Sequence, residues 1–537
     1  MDNSPHNKKY ILINKIPELL IAMLIILSIY NSFTIGFSWD EIFHNHLGSL
    51  RFKYLISFGN FKEYNFTDVD KFYPGLFDTL SFSILYIFNL IGFEFVTYNL
   101  DVIKHLINLC FALFGILGFY LLVKIFFNKT IATYSVLLTL LNPFFFGHIS
   151  INPKDMIIFF SYVWTLFFFF KYLIEDKKYL NVVLFSIFLG FGCGTRLTFI
   201  ATLIPIFLVG CYYIIHNKKK FNFTKIIFID LPIIISISTF LIILCWPQFW
   251  DYGFKSFIET IAQSISWNGG PNLGLINGFY YLTNQTPWNY FFKIFMYRIP
   301  MFFSILAVGS YIIFFTKNFS YESQSFLSKE KFFILNIIFF FPIIISIILD
   351  VKIYDNVRLF LFIMPTLSVF CSFSLIYAFE NFNKKIIKYS FFILFIFFSL
   401  FTVRFISLNP YQYTYINFSY INLKDTQNKF EHDYWNTTFK ELVIKLKKEN
   451  YHLKNNLKIH VCGGDSNVLR HYLQKYLRIN RLYNENKANY VIMTNRVSFN
   501  PNIKKTCFDK FQSNDIFFVQ RNGLILSTFR KINENER

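Results

Sequence analysis

The chain has 537 residues, 54% of them hydrophobic and 22% aromatic, with 76 Phe and a formal net charge of +20. So apolar a composition excludes an ordinary soluble globular protein. Repeated apolar runs of roughly 17 to 25 residues, each able to cross a hydrocarbon core about 30 Å thick, make it a polytopic membrane protein. The positive charge sets topology rather than recruiting nucleic acid, because the lysines crowd between apolar runs and no basic stripe is interleaved with stacking aromatics.

The opening NKKYILINKIPELLIAMLIILSIYNSF puts lysines before an apolar run and lacks a small-residue cleavage site. This is the pattern of an uncleaved signal anchor with a cytoplasmic N-terminus. GFSWDEIFHNHLGSLRFKYL follows at once. If residues 39–55 are helical, Asp40 and His44 share a face one turn apart, while Arg51 and Lys53 point to the headgroups. Asp40 and Glu41 then stand where a lipid-borne substrate would meet water. The competing reading is an interfacial helix with solvated charges. A carboxylate and a histidine one turn apart also suit a shared cation, although DEIFHNH does not match the zinc pattern HExxH.

Further apolar runs fall near 76–97, 106–123, 131–147, 156–173, 179–195, 197–216, 226–245, 291–316, 332–349, 359–379 and 388–407. The basic loops 216–225 and 381–388, with Lys124, Lys129, Lys171, Lys177 and Lys178, are expected in the cytoplasm. Parity then gives about eleven spans. It leaves 76–97, with Pro74, Gly75 and Asp78 at its start, as a juxtamembrane or re-entrant helix in an external loop 34–105. The less basic segments share the other face: SWDEIFHNH, HISINPKDM, GTR, the aromatic loop 246–290, DVKIYDNVR and the chain after 408.

In HISINPKDM, Pro153 opens a helix with Lys154 and Asp155 in its first turn, which is either a second carboxylate site or simple dipole matching. Arg196 and Arg358 sit at the mouths of apolar runs, where a cation needs a partner. Phosphate matches a guanidinium bidentately; Asp155, Asp350 and Asp355 are the protein alternatives. The tryptophans and tyrosines of 246–290 fit an interfacial belt and sugar stacking equally well.

Cys110, Cys193, Cys211, Cys245 and Cys371 lie in or beside apolar runs, and no CxxC occurs. Cys462 and Cys507 lie in the polar tail and could bridge outside the cytoplasm. That tail, 408–537, reads as a small α/β domain following a membrane domain, 1–407. FKELVIKLKKEN and NVLRHYLQKYL are helical, LKIHVCGG and ANYVIMTN are strand-like, and DIFFVQRNGLILSTFRK is a hairpin turning at Asn522-Gly523.

With these residues in place, the chain resembles the GT-C superfamily of membrane glycosyltransferases, in particular its protein O-mannosyltransferase and aminoarabinose transferase relatives of bacterial family 39 type. SWDEIFH matches that family's acidic pair at Asp40 and Glu41, and NPKD its second acidic site at Asp155. YDNVRLFLFIMP and NPYQYTYIN...FEHDYW follow in the order of a bacterial branch, in which a histidine often succeeds the arginine; this chain has Leu359.

The resemblance implies an α-helical polytopic GT-C fold of about 11–13 transmembrane helices with a small C-terminal extracytoplasmic α/β domain, in a bacterial inner membrane. It implies transfer of a sugar from a polyprenyl-phosphate donor to an extracytoplasmic protein, lipid or glycan. Asp40 would be the base, with Glu41 orienting or replacing it and Asp155 positioning the acceptor. His44, Lys154, Arg196, Tyr354, Asp355 and Arg358 would bind substrate and phosphate. No cofactor is obligatory and no metal ligand set is implied, although a divalent cation is allowed. Nucleic acid is not a partner. The rival classes are a secondary transporter, with Asp230, Arg196 and Arg298 on an ion path, and a lipid-linked-glycan ligase or polymerase.

Overall fold

The computed structural model describes residues 5–61, 72–175, 179–217, 221–265, 270–316, 329–381, 384–417, 426–454, 456–497 and 502–533. Among them, eight helices are long and apolar enough to cross a membrane: Lys15–Thr34 within α1 (Pro5–Thr34), Leu100–Phe126, Asp155–Ile174, Phe199–His216, Phe223–Leu244, Lys329–Ile348, Arg358–Glu380 and Lys385–Ser407. The shorter apolar helices Lys129–Leu141 and Tyr179–Thr195 account for two more of the expected runs. The run 291–316 is not one continuous span. Tyr290–Arg298 and Met301–Thr316 are bent by 120° where Pro300 lacks a donor and forces Ile299 to φ −98° and ψ 133°. The run 131–147 also breaks, because the Asn142 side chain accepts from the N–H groups of Phe144 and Phe145 and starts a new helix, Pro143–His148.

Asp155–Ile174 and Arg358–Glu380 are mostly buried and form the centre of the bundle, whereas Phe223–Leu244 and Lys385–Ser407 lie at its rim with Phe228, Phe240, Leu400 and Val403 exposed. One end of the bundle is basic. Lys129 pairs with Glu18 at 3.0 Å, Lys171 with Glu175 at 3.6 Å, and Lys331 donates to the Phe126 carbonyl. Lys177, Lys178 and Lys218 to Lys220 of the expected basic loops lie outside the described residues. The other end carries α2 (Trp39–Ile56) packed on α3 (Leu76–Leu90), and an amphipathic helix, Phe254–Ile265. That helix exposes Phe254, Ile258 and Ile261 and buries Ser256 and Thr260, as expected of a helix lying in the interface.

Arg51 corrects the expectation drawn from helical spacing. It is fully buried rather than turned to the headgroups, with Nη1 3.4 Å from Asp78 Oδ2 on α3 and Nη2 donating to the Tyr73 carbonyl at 2.9 Å. Gly75 makes room for it: its φ is +78°, and a Cβ there would lie 2.4 Å from Arg51 Nε. Lys53 is exposed.

Within the aromatic loop, β1 (Leu273–Ile276) and β2 (Phe279–Leu282) form an antiparallel hairpin turning at Asn277 and Gly278, both with positive φ. The tail sheet has the order β3-β4-β6-β5, built from β3 (Ile459–Cys462), β4 (Tyr490–Thr494), β5 (Asp515–Arg521) and β6 (Leu524–Lys531). β3 and β4 are parallel, joined by a connection containing the helix Ser466–Leu477, and the other pairs are antiparallel. Cys462 and Cys507 form a disulfide.

The compact α/β unit starts later than residue 408. Tyr411, Tyr413 and Trp435 are buried against the membrane body, and Arg298 donates to the carbonyls of Tyr415 at 3.1 Å and Glu431 at 2.7 Å. Arg298 thus ties Thr414, Tyr415 and Glu431 to the membrane body. Asp230, the other charge considered for an ion path, accepts from the Tyr172 hydroxyl at 2.7 Å.

Candidate active site

α2 starts at the mouth of the bundle because the residues before it are held extended by the chain beyond the last span. Gly36 N–H donates to the Thr437 carbonyl at 3.1 Å and Trp39 N–H to the Trp435 carbonyl at 3.0 Å. A Cβ on Gly36 would lie 2.5 Å from that Thr437 oxygen, so only glycine permits the approach. Ser38 Oγ donates to the Ile151 carbonyl at 2.9 Å, which ties the start of α2 to the loop that carries Asp155.

Adjacent residues of a helix point about 100° apart, so Asp40 and Glu41 do not share a direction. Glu41 turns inward and is fully buried. It accepts from Ser38 N–H at 2.8 Å, has His105 Nε2 at 3.1 Å, and faces Asn108 Nδ2 at 3.4 Å. Its carboxylate closes the first turn of α2 and joins it to the Leu100–Phe126 helix. Glu41→Ala would leave buried donors unpaired, at about 1–3 kcal/mol for each. A Tm lowered by several degrees in detergent is the expected outcome, and an unchanged Tm would contradict this role.

Asp40 points into an ionic cluster. Its Oδ2 accepts from Arg358 Nη1 at 3.0 Å, and its side chain is one third exposed (33%), whereas Asp155 and Asp355 are almost wholly buried. Arg358 Nε lies 3.6 Å from Asp155 Oδ2, and Nη1 lies 3.7 Å from Asp355 Oδ2. Arg196, on the other side, lies 3.3 Å from Asp155 Oδ1 with 27% of its side chain exposed. The Arg358 guanidinium also sits between aromatic faces, 4.8 Å from the Trp435 ring centroid and 5.3 Å from that of Tyr354.

Local structure accounts for each placement. Asn152 Oδ1 accepts from the N–H groups of Lys154 (3.1 Å) and Asp155 (2.8 Å), and its Nδ2 donates to Asp155 Oδ2 at 3.0 Å, so the helix Asp155–Ile174 begins with a fixed carboxylate. Asp355 and Asn356 adopt left-handed backbone conformations (φ 55° and 62°), which short polar side chains tolerate and which turn the loop back over the site. Lys154 Nζ lies 3.4 Å from the Tyr73 ring centroid. His44 Nδ1 is 3.1 Å from Asp78 Oδ2, away from Arg358.

The charges act on one another. Burial pushes the Asp40 carboxyl up, but Arg358, His44 and Lys154 outweigh it and hold Asp40 below the usual carboxylate range. Burial and the neighbouring Arg196 bring Lys154 down to about 7 against the pull of Asp78 and Asp40. Burial likewise lowers His44, aided by Lys154 and opposed by Asp78. The carboxylates Asp40, Asp155 and Asp355 face the cations Arg358, Arg196, Lys154 and, from the tail, Arg496, whose Nη2 is 2.9 Å from Asp355 Oδ1. Arg358 occupies the point on which the three carboxylates converge. Among the described residues, no group of three His, Cys, Asp or Glu side chains is placed to hold a metal ion.

The structure therefore brings together Asp40, Asp155, Lys154, Arg196, Tyr354, Asp355 and Arg358, and it sets Glu41 and His44 to one side in structural pairs. Sequence reasoning missed Arg496, Trp435 and Asn152. Asn152 and Trp435 stand within the NPKD and FEHDYW segments without having been given a role there, Asn152 is also a polar cap three residues before Asp155, and Arg496 had no local signal.

The profile of the family described as dolichyl-phosphate-mannose-protein mannosyltransferase matches residues 90–246, which include Lys154, Asp155 and Arg196 but neither Asp40 nor Arg358. Among solved structures, ArnT from Cupriavidus metallidurans bound to undecaprenyl phosphate is similar over 95% of this chain and 97% of its own, at 11% identity and a TM-score of 0.51. The archaeal oligosaccharyltransferase AglB from Archaeoglobus fulgidus matches 89% of this chain and 69% of its own, at 12% identity and a TM-score of 0.43. The S. cerevisiae Pmt1-Pmt2 complex matches 48% of this chain and 38% of its own, at 13% identity and a TM-score of 0.32. No curated protein sequence matches the chain. The likeness to ArnT shows the fold of the chain as a whole, and residues 90–246 are similar to the mannosyltransferase family.

Proposed function

We propose that the chain transfers one sugar from a polyprenyl-phosphate donor to a hydroxyl or amine of an extracytoplasmic acceptor, with Asp40 as general base. The observation that carries this reading is the asymmetry of the cluster: Asp40 alone among the three carboxylates on Arg358 is open to solvent. A base must reach the acceptor, and buried carboxylates cannot. The chemistry of a GT-C donor requires cations at the departing phosphate, and Arg196, partly exposed beside Asp155, offers one together with Arg358 and Lys154.

In the step proposed, the acceptor oxygen or nitrogen forms a bond to the anomeric carbon while that carbon's bond to the phosphate oxygen breaks. Asp40 takes the acceptor proton, and the polyprenyl phosphate leaves with the bonding electrons. A single displacement inverts the anomeric configuration. Arg358 links the two halves of the site: when it turns to the phosphate it releases Asp40, whose basicity rises as the acceptor arrives. The basic end of the bundle, with Lys129 and Lys171, faces the cytoplasm by the positive-inside rule, so Asp40 and the tail lie outside, where the Cys462–Cys507 disulfide is stable.

The Lys154 charge tests the phosphate assignment. Because its value is lowered to about 7, Lys154 is cationic below that pH and neutral above it. The KM for donor is expected to rise as pH passes about 7, and Lys154→Met should raise KM at low pH and flatten the profile. A donor KM independent of pH in wild-type vesicles would contradict the assignment.

A further inference from the structure

The tail supplies a side chain to the cluster that the membrane body does not. Arg496 stands two residues past the end of β4, at Thr494, between two anchors. Asn495 Nδ2 donates to the Phe430 carbonyl at 3.1 Å, and Val497 N–H donates to Glu431 Oε1 at 3.1 Å. From there the buried guanidinium reaches Asp355 Oδ1 at 2.9 Å, donates to the Tyr434 carbonyl, and lies 4.9 Å from the centroid of the Trp39 ring. It therefore touches both the acid that competes with Asp40 for Arg358 and the residue that immediately precedes Asp40.

We propose that Arg496 is a positioning residue of the transfer site, one that takes up the Asp355 charge so that Arg358 stays available to Asp40, Asp155 and the donor phosphate. The inference rests on the glycosyl-transfer reading and extends it: a docked tail becomes a condition for turnover. The distances give the reason. Asp355 is closer to Arg496 (2.9 Å) than to Arg358 (3.7 Å), while Arg358 is closest to Asp40 (3.0 Å). A buried carboxylate that loses its nearest cation turns to the next one, and here the next one is Arg358. Asp40 would then lose its partner at the same time as a neighbouring positive charge. The charged groups acting on Asp40 are Arg358, His44 on its own helix, Lys154, Arg496 itself, and Asp465 at the start of the Ser466–Leu477 helix.

The test uses the full chain reconstituted in vesicles with a polyprenyl-phosphate sugar that the wild type accepts, and compares Arg496→Gln, Arg496→Lys and Arg521→Gln. Arg521 pairs with Glu441 at 2.7 Å elsewhere in the tail and controls for general loosening of that unit. Arg496→Gln is expected to lower kcat/KM on the order of tenfold to a hundredfold and to move its acidic limb to higher pH. Arg496→Lys should recover part of both effects, and Arg521→Gln should keep the wild-type pH profile. An Arg496→Gln protein that melts normally and keeps the wild-type kcat/KM and acidic limb would overturn the proposal. So would a loss of activity that only tracks the loss of folded protein, with the limb unmoved. A wild type that takes sugar from no lipid-phosphate donor would remove the transfer reading and this assignment together.

Discussion

Replacing Asp40 by Asn is expected to reduce sugar transfer by about 10²- to 10⁴-fold, the range for a lost general base, while leaving the protein folded. The amide keeps the size of the carboxylate, and its oxygen can still accept from Arg358, so the 3.0 Å contact has a substitute. What disappears is the capacity to take a proton. Because Arg358 and its neighbours hold Asp40 below the usual carboxylate range, the wild type should stay active well into mildly acidic pH. Side by side, kcat/KM profiles of wild type and Asp40→Asn at equal expression decide the matter. Transfer by Asp40→Asn at the wild-type rate would remove Asp40 from the chemistry.

The second large effect is expected at Arg358. Arg358→Gln leaves Asp40, Asp155 and part of Asp355 without their shared cation, and removing one partner of a buried ionic group costs about 3–5 kcal/mol of stability. Transfer should fall about 10²- to 10³-fold as well, because a preorganised charge at the leaving phosphate is lost. Arg358→Lys should rescue little. One ammonium cannot present Nε to Asp155 and Nη1 to Asp40 and Asp355 at the same time, nor stack between Trp435 and Tyr354. A lysine variant with near-wild-type kcat/KM would show that charge alone matters and that the fork geometry does not.

The membrane spans were legible because an apolar run long enough to cross a bilayer has few alternatives. Asp40, Asp155, Arg196 and Arg358 were legible for the same reason, since each stands where such a run begins or ends. The bend at Pro300 was not, because hydropathy averages over a window and ignores the missing donor of a single proline. Arg51 was misplaced for a different reason. Helical spacing gives its direction on α2, but only the packing of α3 supplies Asp78 as its partner, 27 residues away. The β1–β2 hairpin carried its own turn signal at Asn277-Gly278, of the kind read correctly at Asn522-Gly523, but the aromatic composition of its loop hid it. Arg496 had no local signal at all. Its neighbours resemble those of any arginine at a strand end, and its role arises only when the tail folds back on the 350–357 loop.

The measurement that bears most directly on the central claim is transfer of label from a mixed pool of polyprenyl-phosphate sugars by the wild-type protein in sealed vesicles. Label should move from at least one donor to an acceptor on the face opposite the basic loops, with free polyprenyl phosphate released in equal amount. If no donor in the pool loses its sugar while the vesicles show protein-dependent solute flux, the chain is a transporter and the ionic cluster belongs to its transport path.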